Sequence, residues 1–301
     1  MPANFMLVCA DCGHTFSSFS SSPGCPNCKS DWLEARYDYA ALAPHWRANL
    51  ARRGRDLWRY HELLPLRQAE NIVSLGEGGT PLLPLGNLGL MLGRAHIYVK
   101  DERQMPTGSF KDRQATVAIS VMKEAGLKEL VVASTGNVAI SYAAYCARAG
   151  IQLYTFLTSL VPPEKMREVA LYGAQVVKIT GTYDRCKEIA QQFALQRSLP
   201  CDRGLRNVAA IEAMKTIAYE TAEQLALALP GGSNGGRLAT PWRAPDWYVQ
   251  SVSGGLGPVG VTKGFRELKQ MGLIDRLPKV ACIQADGCAP MANAFRRGLP
   301  E

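Results

Sequence analysis

The residues best equipped for chemistry in this 301-residue chain fall in four places. The first is a pair of pairs, Cys9-x-x-Cys12 and Cys25-x-x-Cys28, separated by twelve residues. Each pair can wrap two thiolates around one tetrahedral ion, and together they complete a closed four-sulfur site of the kind zinc prefers. Gly13 and Gly24 permit tight turns beside the pairs and Pro26 stiffens the second. The polar stretch 17–24 offers little to pack, so a metal is what would hold such a head together. A four-sulfur site has no open position, so its expected role is structural. A metal-free head, a disulfide-bonded one and a site in which His14 replaces one sulfur are the alternatives.

The other three places are glycine-containing turns. Met105-Pro106-Thr107-Gly108-Ser109-Phe110-Lys111-Asp112 follows a short β-branched run and opens a helix, with Ser109 as a candidate cap. Lys111 then lies in the first helical turn, where the positive end of the helix dipole disfavours its ammonium form. A lysine kept neutral there suits Schiff-base chemistry, although an exposed lysine near a helix start is also common. Ala133-Ser134-Thr135-Gly136-Asn137 brings hydroxyls, a glycine and an amide to a second helix start. That turn either grips an anion or caps its own helix. Ser253-Gly254-Gly255-Leu256-Gly257-Pro258-Val259-Gly260 reads as a phosphate cup, with Pro258 at the first helical position. No Gly-Lys-Ser/Thr follows, so it is not a Walker loop.

The elements that must carry these turns alternate. Candidate strands at 96–99, 130–133, 153–156, 176–179, 247–249 and 280–283 are separated by alanine-rich stretches of helical length. These helices span 111–125, 138–149, 163–172, 184–197, 211–228, 258–271 and 289–297. The alternation predicts an α/β fold with mostly parallel sheets covered on both faces, its ligand lying outside the carboxyl ends of the strands. With 47% apolar and 20% charged residues the chain is an ordinary globular one, and no apolar run approaches the roughly 20 residues a membrane span requires. The N-terminus has no basic segment before its apolar stretch, which points to the cytoplasm. The net charge of +8 is densest at Arg47, Arg52, Arg53, Arg55, Arg59 and Arg67, broken by Asp56 and Glu62 and interleaved with Trp46, Trp58 and Tyr60. That pattern reads as a solvated face over core aromatics and argues against a nucleic-acid patch. The glycine-rich 230–236 reads as a surface loop.

Taken together, the three turns resemble the pyridoxal-phosphate enzymes of the tryptophan-synthase β fold type, and most closely the threonine synthase family. The resemblance covers about residues 70–298. It runs through Leu75-Gly76-Glu77-Gly78-Gly79-Thr80-Pro81-Leu82, Lys100-Asp101-Glu102, 106–113, 133–137, Ala143-Ala144-Tyr145, Arg148-Ala149-Gly150, Lys215-Thr216 and 284–290, in the family's order and spacing. It implies that Lys111 carries the cofactor as a Schiff base, that Phe110 packs beside it and that Asn137 contacts its ring oxygen. By the same resemblance Ser253, Gly254, Gly255, Leu256 and Gly257 cradle the cofactor phosphate, while Thr107, Ser134, Thr135 and Gly136 face the substrate. The implied reaction on O-phospho-L-homoserine removes protons at Cα and Cβ, expels phosphate from Cγ and adds water at Cβ, with Lys111 as proton shuttle.

The chain departs from the family pattern in three respects. Met105 stands where asparagine is usual. Val208-Ala209-Ala210 stands where a Pro-Tyr-Arg triplet binds the substrate phosphate, and Ala213 follows Glu212 in place of glycine. That leaves Arg206, Arg113 or Lys215 as candidates for the leaving group. It also keeps open a β-replacement on O-phosphoserine of the cysteate synthase kind, a hydroxyamino-acid ammonia-lyase and, from another class, a non-catalytic zinc-head binding protein. Family members run on past the end of this chain, so the residue facing the pyridine nitrogen is expected beyond it. The expected layout is a zinc-ribbon-like head at 1–36, a large domain from 37–110 and 200–301, and a small inserted α/β domain at 111–199. The family precedent adds a homodimer.

Overall fold

The computed structural model describes residues 4–19, 24–134, 136–202, 204–229 and 242–299. The chain forms two compact units, one of Met1–Asp38 with Gly54–Ala213 and one of Tyr39–Arg53 with Met214–Glu301.

The first unit begins with a three-stranded antiparallel head in which β1 (Phe5–Cys9) lies between β2 (Thr15–Phe16) and β3 (Leu33–Tyr37). Strand alternation turns Phe5, Leu7 and Cys9 inward and Met6 to solvent. The head therefore has a small apolar face of its own beside the cysteines. The Arg67 guanidinium donates to the carbonyls of Phe5 and Ser17 and stacks 4.6 Å over the Phe5 ring, and the Tyr37 hydroxyl donates to buried Glu212 at 2.9 Å. The next helix, α1 (Tyr39–Leu50), belongs to the second unit.

After an antiparallel pair, β4 (Leu82–Pro84) with β5 (Tyr98–Lys100), joined through α2 (Gly86–Leu92), the alternation begins. In chain order come α3 (Lys111–Glu124), β6 (Glu129–Ala133), α4 (Asn137–Ala149), β7 (Gln152–Thr158), α5 (Pro163–Leu171), β8 (Gln175–Ile179), α6 (Tyr183–Gln196) and α7 (Val208–Met214). Strands β6, β7 and β8 form a parallel sheet in that order, with Val132 opposite Thr155 and Phe156 opposite Val177. α3 is buried along ten consecutive residues, Asp112 to Val121. A helix buried all round needs small residues where neighbours approach, and α4 meets it with Ala139, Ala143 and Ala144. Leu57, Trp58, Leu64, Leu66 and Val73 join the same core. Residues 54–110 accordingly group with the inserted segment rather than with 214–301.

The second unit contains α1, α8 (Thr216–Ala228), β9 (Trp247–Ser251), α9 (Leu256–Gln270), β10 (Lys279–Ile283) and α10 (Pro290–Arg296), with β9 and β10 paired in parallel. Trp46 of α1 meets Tyr219 and Trp242 edge-on at 5.3 and 5.7 Å. The helix expected at 211–228 is broken at Lys215, whose carbonyl lies so close to Gly264 that a Cβ there would sit 2.4 Å from it. Trp46, Trp58 and Tyr60 are buried, as the interleaved aromatics predicted. Among the described residues no helix is long and apolar enough to cross a membrane.

Candidate active site

Lys111 is the first residue of α3, and the chain reaches it through a turn closed by the Gly108 N–H on the Met105 carbonyl at 2.8 Å. Gly108 has φ +76°, a left-handed conformation that a side chain would strain. The turn is fixed by Asp112. This fully buried carboxylate accepts from the Thr107 N–H at 2.7 Å, the Thr107 hydroxyl at 2.5 Å and Ser141 of α4 at 2.6 Å. Its position in the first turn of a helix further stabilises its charge. The hydroxyl of Ser109, the expected cap, accepts from the Lys111 N–H at 3.4 Å, and Phe110 occupies the cap position.

The Lys111 ammonium lies 4.4 Å over the Phe110 ring, and among the described residues no acceptor holds it. Burial pushes its pKa down, opposed by the nearby charge of Asp202. Asp202 is itself held by the Tyr142 hydroxyl at 3.1 Å, the Asn207 amide at 2.7 Å and the Gly204 N–H at 3.2 Å. Nothing in the spacing of the sequence marked Asp202 as a neighbour of the lysine turn, and nothing in it showed that Asp112 would fix that turn.

The Glu77-Gly78-Gly79 motif is structural at this site. Glu77 is fully buried and accepts from the Leu75 N–H and the Tyr145 hydroxyl, at 2.8 and 2.6 Å. Burial followed by the Glu77 charge drives the Tyr145 hydroxyl well above its ordinary range, so it stays a donor. Gly78 and Gly79 both have positive φ, and a Cβ on either would sit 2.3 Å from the backbone of Leu57 or Arg55.

At the second turn, buried Ser134 hangs from β7 through its N–H on the Phe156 carbonyl, and its hydroxyl accepts from the Gly136 N–H at 3.3 Å. Gly136 is the cap residue and Asn137 the exposed first residue of α4; Thr135 lies outside the described residues. The Ser141–Asp112 bond ties α4 to the lysine turn. Lys111, Phe110 and Thr107 thus sit on a turn joined to the helix that Gly136 caps. Lys165 of α5 also reaches it, its Nζ 3.9 Å from where a Cβ on Gly136 would lie.

The glycine turn belongs to the other unit. It follows β9, whose end is pinned by the Val252 N–H on the Ile283 carbonyl at 2.8 Å. Gly255 caps α9 with φ +84°, and Leu256 and Gly257 form its first turn, so Pro258 stands third in the helix rather than first. Ser253 and Gly254 are exposed, and a Cβ on Gly254 would meet nothing within 4 Å. Backbone N–H groups at the start of a 15-residue helix fit a phosphate.

A family profile described as pyridoxal-phosphate dependent enzyme matches residues 73–301. The chain belongs to that family. Among curated members of this pyridoxal-phosphate dependent family it is 36% identical to a threonine synthase of Methanocaldococcus jannaschii, over 96% of this chain and 67% of the relative. It is 32% identical to a threonine synthase of Methanosarcina acetivorans over 98% and 68%. Among solved structures, holo diaminopropionate ammonia lyase of Escherichia coli aligns at TM-score 0.62 and 14% identity, over 99% of this chain and 69% of that one. Threonine deaminase isoform 2 of Solanum lycopersicum aligns at 0.60 and 19%, over 86% and 60%. These two show the shared fold. The chain spans about two thirds of these threonine synthases.

A pyridoxal-phosphate enzyme needs an amine for the cofactor aldehyde and donors for its phosphate. Lys111, shifted toward the free amine, and the 253–257 turn fit those requirements. The basic residues proposed for the leaving group are engaged elsewhere. Arg113 is fully buried and grips Glu102 with two nitrogens at 2.7 and 2.9 Å. Lys215 is fully buried on Glu267 at 3.1 Å, and Glu267 also takes the Tyr219 and Tyr39 hydroxyls. Arg206 stacks 5.2 Å from the Trp32 ring and lies 3.8 Å from Asp31.

In the head, the sulfurs of Cys9, Cys12, Cys25 and Cys28 all lie within 4.8 Å of one another. The two knuckles repeat: the Gly13 N–H bonds the Cys9 carbonyl at 3.0 Å and the Lys29 N–H bonds the Cys25 carbonyl at 2.9 Å. Gly13 and Gly24 both have positive φ, as does Lys29, which closes the second knuckle. The His14 N–H donation and the Asn27 amide pull the Cys12 thiol down to about 6. Four cysteine sulfurs so close together fit a soft divalent cation. His14 stacks on Phe16 and is not part of the cluster.

Proposed function

We propose that this chain acts as a pyridoxal-phosphate enzyme of the threonine synthase type, converting O-phospho-L-homoserine and water to L-threonine and phosphate. The observation that carries this reading is Lys111, a lysine at a helix start, half-buried beside Phe110 and shifted by burial toward its neutral amine. When bound, pyridoxal phosphate supplies an electron sink for the charge that develops at Cα. The chain's residues do the rest. Lys111 Nζ takes the proton from Cα and serves again at Cβ, and the Asp202 charge favours the proton on Nζ once it has moved. Ser134 and the first turn of α4 orient the substrate carboxylate, and the 253–257 backbone binds the cofactor phosphate.

Incubating the purified protein with pyridoxal phosphate, desalting it and recording a visible spectrum tests this reading. A band that Lys111→Ala lacks is expected, together with phosphate release and threonine formation from O-phospho-L-homoserine. Absence of the band in the unaltered protein would overturn it. Because Arg113 is matched by half-buried Glu102 and Lys215 by buried Glu267, and the arginine triplet is replaced by Val208-Ala209-Ala210, a second reading keeps the cofactor with O-phosphoserine or a hydroxyamino acid as substrate. Product analysis with each donor separates the two. The reading also includes a structural zinc in the head, a cytoplasmic location and a homodimer by family analogy.

A further inference from the structure

The first unit contains a cavity of about 160 Å³ between its cysteine head and its helical body. Close-packed interiors hold few voids larger than a water molecule, so a space of this size needs a cause. The cause is a set of small side chains. Ala118 of α3, Ala125 just after it and Ala209 of α7 border the space, and Leu33 of the head and Leu130 of β6 complete an apolar wall. Water finds few partners against such a wall. The room suits a single six-membered ring, since a dry apolar cavity of about 150 Å³ admits benzene.

The polar groups of the cavity are bonded to one another. Asp202 Oδ1 accepts from the Tyr142 hydroxyl at 3.1 Å and from the Asn207 amide at 2.7 Å, and all three residues line the space. Among the described residues Asp202 Oδ2 accepts only from the Gly204 N–H at 3.2 Å, which leaves it a lone pair for a further donor. The other charged side chains of the wall, Asp31 and Arg206, lie 3.8 Å apart and offset each other. The uncompensated charge at the cavity is therefore the Asp202 carboxylate, which disfavours an anionic ligand and favours a donor.

We propose that this cavity is an effector site for a small neutral aromatic molecule with one N–H or O–H donor, the donor bonding Asp202 and the ring filling the space among the alanines. Asp202 is also the carboxylate whose charge favours the proton on Lys111. A ligand that donates to it weakens that field and moves Lys111 further toward the free amine. This consequence rests on the reading of Lys111 as the reactive amine, whereas the site itself does not.

Phenol and benzene serve as probes in calorimetric titrations of the cofactor-free protein. Phenol is expected to saturate one site and to bind about 10-fold more tightly than benzene. Ala125→Leu and Ala209→Leu each put a larger side chain into the space and are expected to weaken both ligands by about 10-fold or more, with melting temperatures reporting that the variants are folded. Asp202→Asn is expected to erase most of the advantage of phenol while benzene still binds. Saturating phenol is also expected to speed modification of Lys111 by an amine reagent about threefold at constant pH, read by peptide mass spectrometry. Absence of saturable phenol binding overturns the site, as does binding that survives both leucine variants. Equal affinity for phenol and benzene overturns the assignment to Asp202, and an unchanged rate at Lys111 overturns the effector role. Because binding is read without the cofactor, a protein that forms no coloured complex with pyridoxal phosphate still reports on the cavity.

Discussion

The lysine turn and the glycine turn solve the same problem, presenting a helix start to a ligand, by opposite means. The lysine turn is held by side chains: Asp112 collects Thr107 and Ser141, and Glu77 and Tyr145 brace the loop behind it. The glycine turn is held by backbone, with Gly255 in the left-handed region and Gly257 pressed against Gln250. A reactive amine must be aimed at one atom, so its supports must be specific. A phosphate needs only several N–H groups converging on it, and glycine supplies these without side-chain bonds.

The largest expected effect comes from removing the reactive atom. Lys111→Ala should lower turnover by about 10³-fold or more while leaving the melting temperature nearly unchanged, as assay and calorimetry would show. Next is Asp112→Asn, which cannot accept from three donors at once. It should cost about 2 kcal/mol in denaturant stability and loosen the turn, read as faster hydrogen exchange at Thr107. If the two turns differ as described, Gly255→Ala should instead cost about 1 kcal/mol through its φ of +84° alone. Gly257→Ala should be milder still. Its Cβ would lie 2.3 Å from the movable end of Gln250, so a small loss of cofactor affinity with normal stability is expected.

A pH measurement sharpens the contrast further. In the cofactor-free protein an amine reagent should modify Lys111 at lower pH than the other lysines, and Asp202→Asn should move its onset lower again. The linked stability has a definite sign. The folded chain binds fewer protons here than the unfolded one between the lowered pKa and the usual value near 10.4, so this group's contribution rises with pH across that window. An onset shared with surface lysines would remove the basis for a lysine poised as a free amine.

Much of this arrangement was legible in residue order. The runs at 130–133, 153–156, 176–179 and 280–283 each fall within the strands β6, β7, β8 and β10, because β-branched residues flanked by alanine-rich helices leave little choice of period. The run at 96–99 overlaps β5, but the head strands and β4 were not legible, being only two to five residues long, with β4 ended by Pro84. The placement of 54–110 depends on Leu57 and Trp58 packing under α3, a long-range fact that no local pattern carries. The matches of Arg113 with Glu102 and Lys215 with Glu267 escaped for the same reason, since pairing across 11 and 52 positions shows only in three dimensions.

The bond between Tyr37 and Glu212 joins residues 175 positions apart. Synthesised at roughly 5–20 residues per second, the chain would emerge for about 10–30 s with its cysteine head complete and the glutamate that fastens it not yet made. The four cysteines of the head are thus made well before one of the side chains that secures the head to the body. Arg67, made early, can grip the head first, and any hold-up in translation between residues 67 and 212 would prolong the interval in which that grip stands without the Tyr37–Glu212 bond.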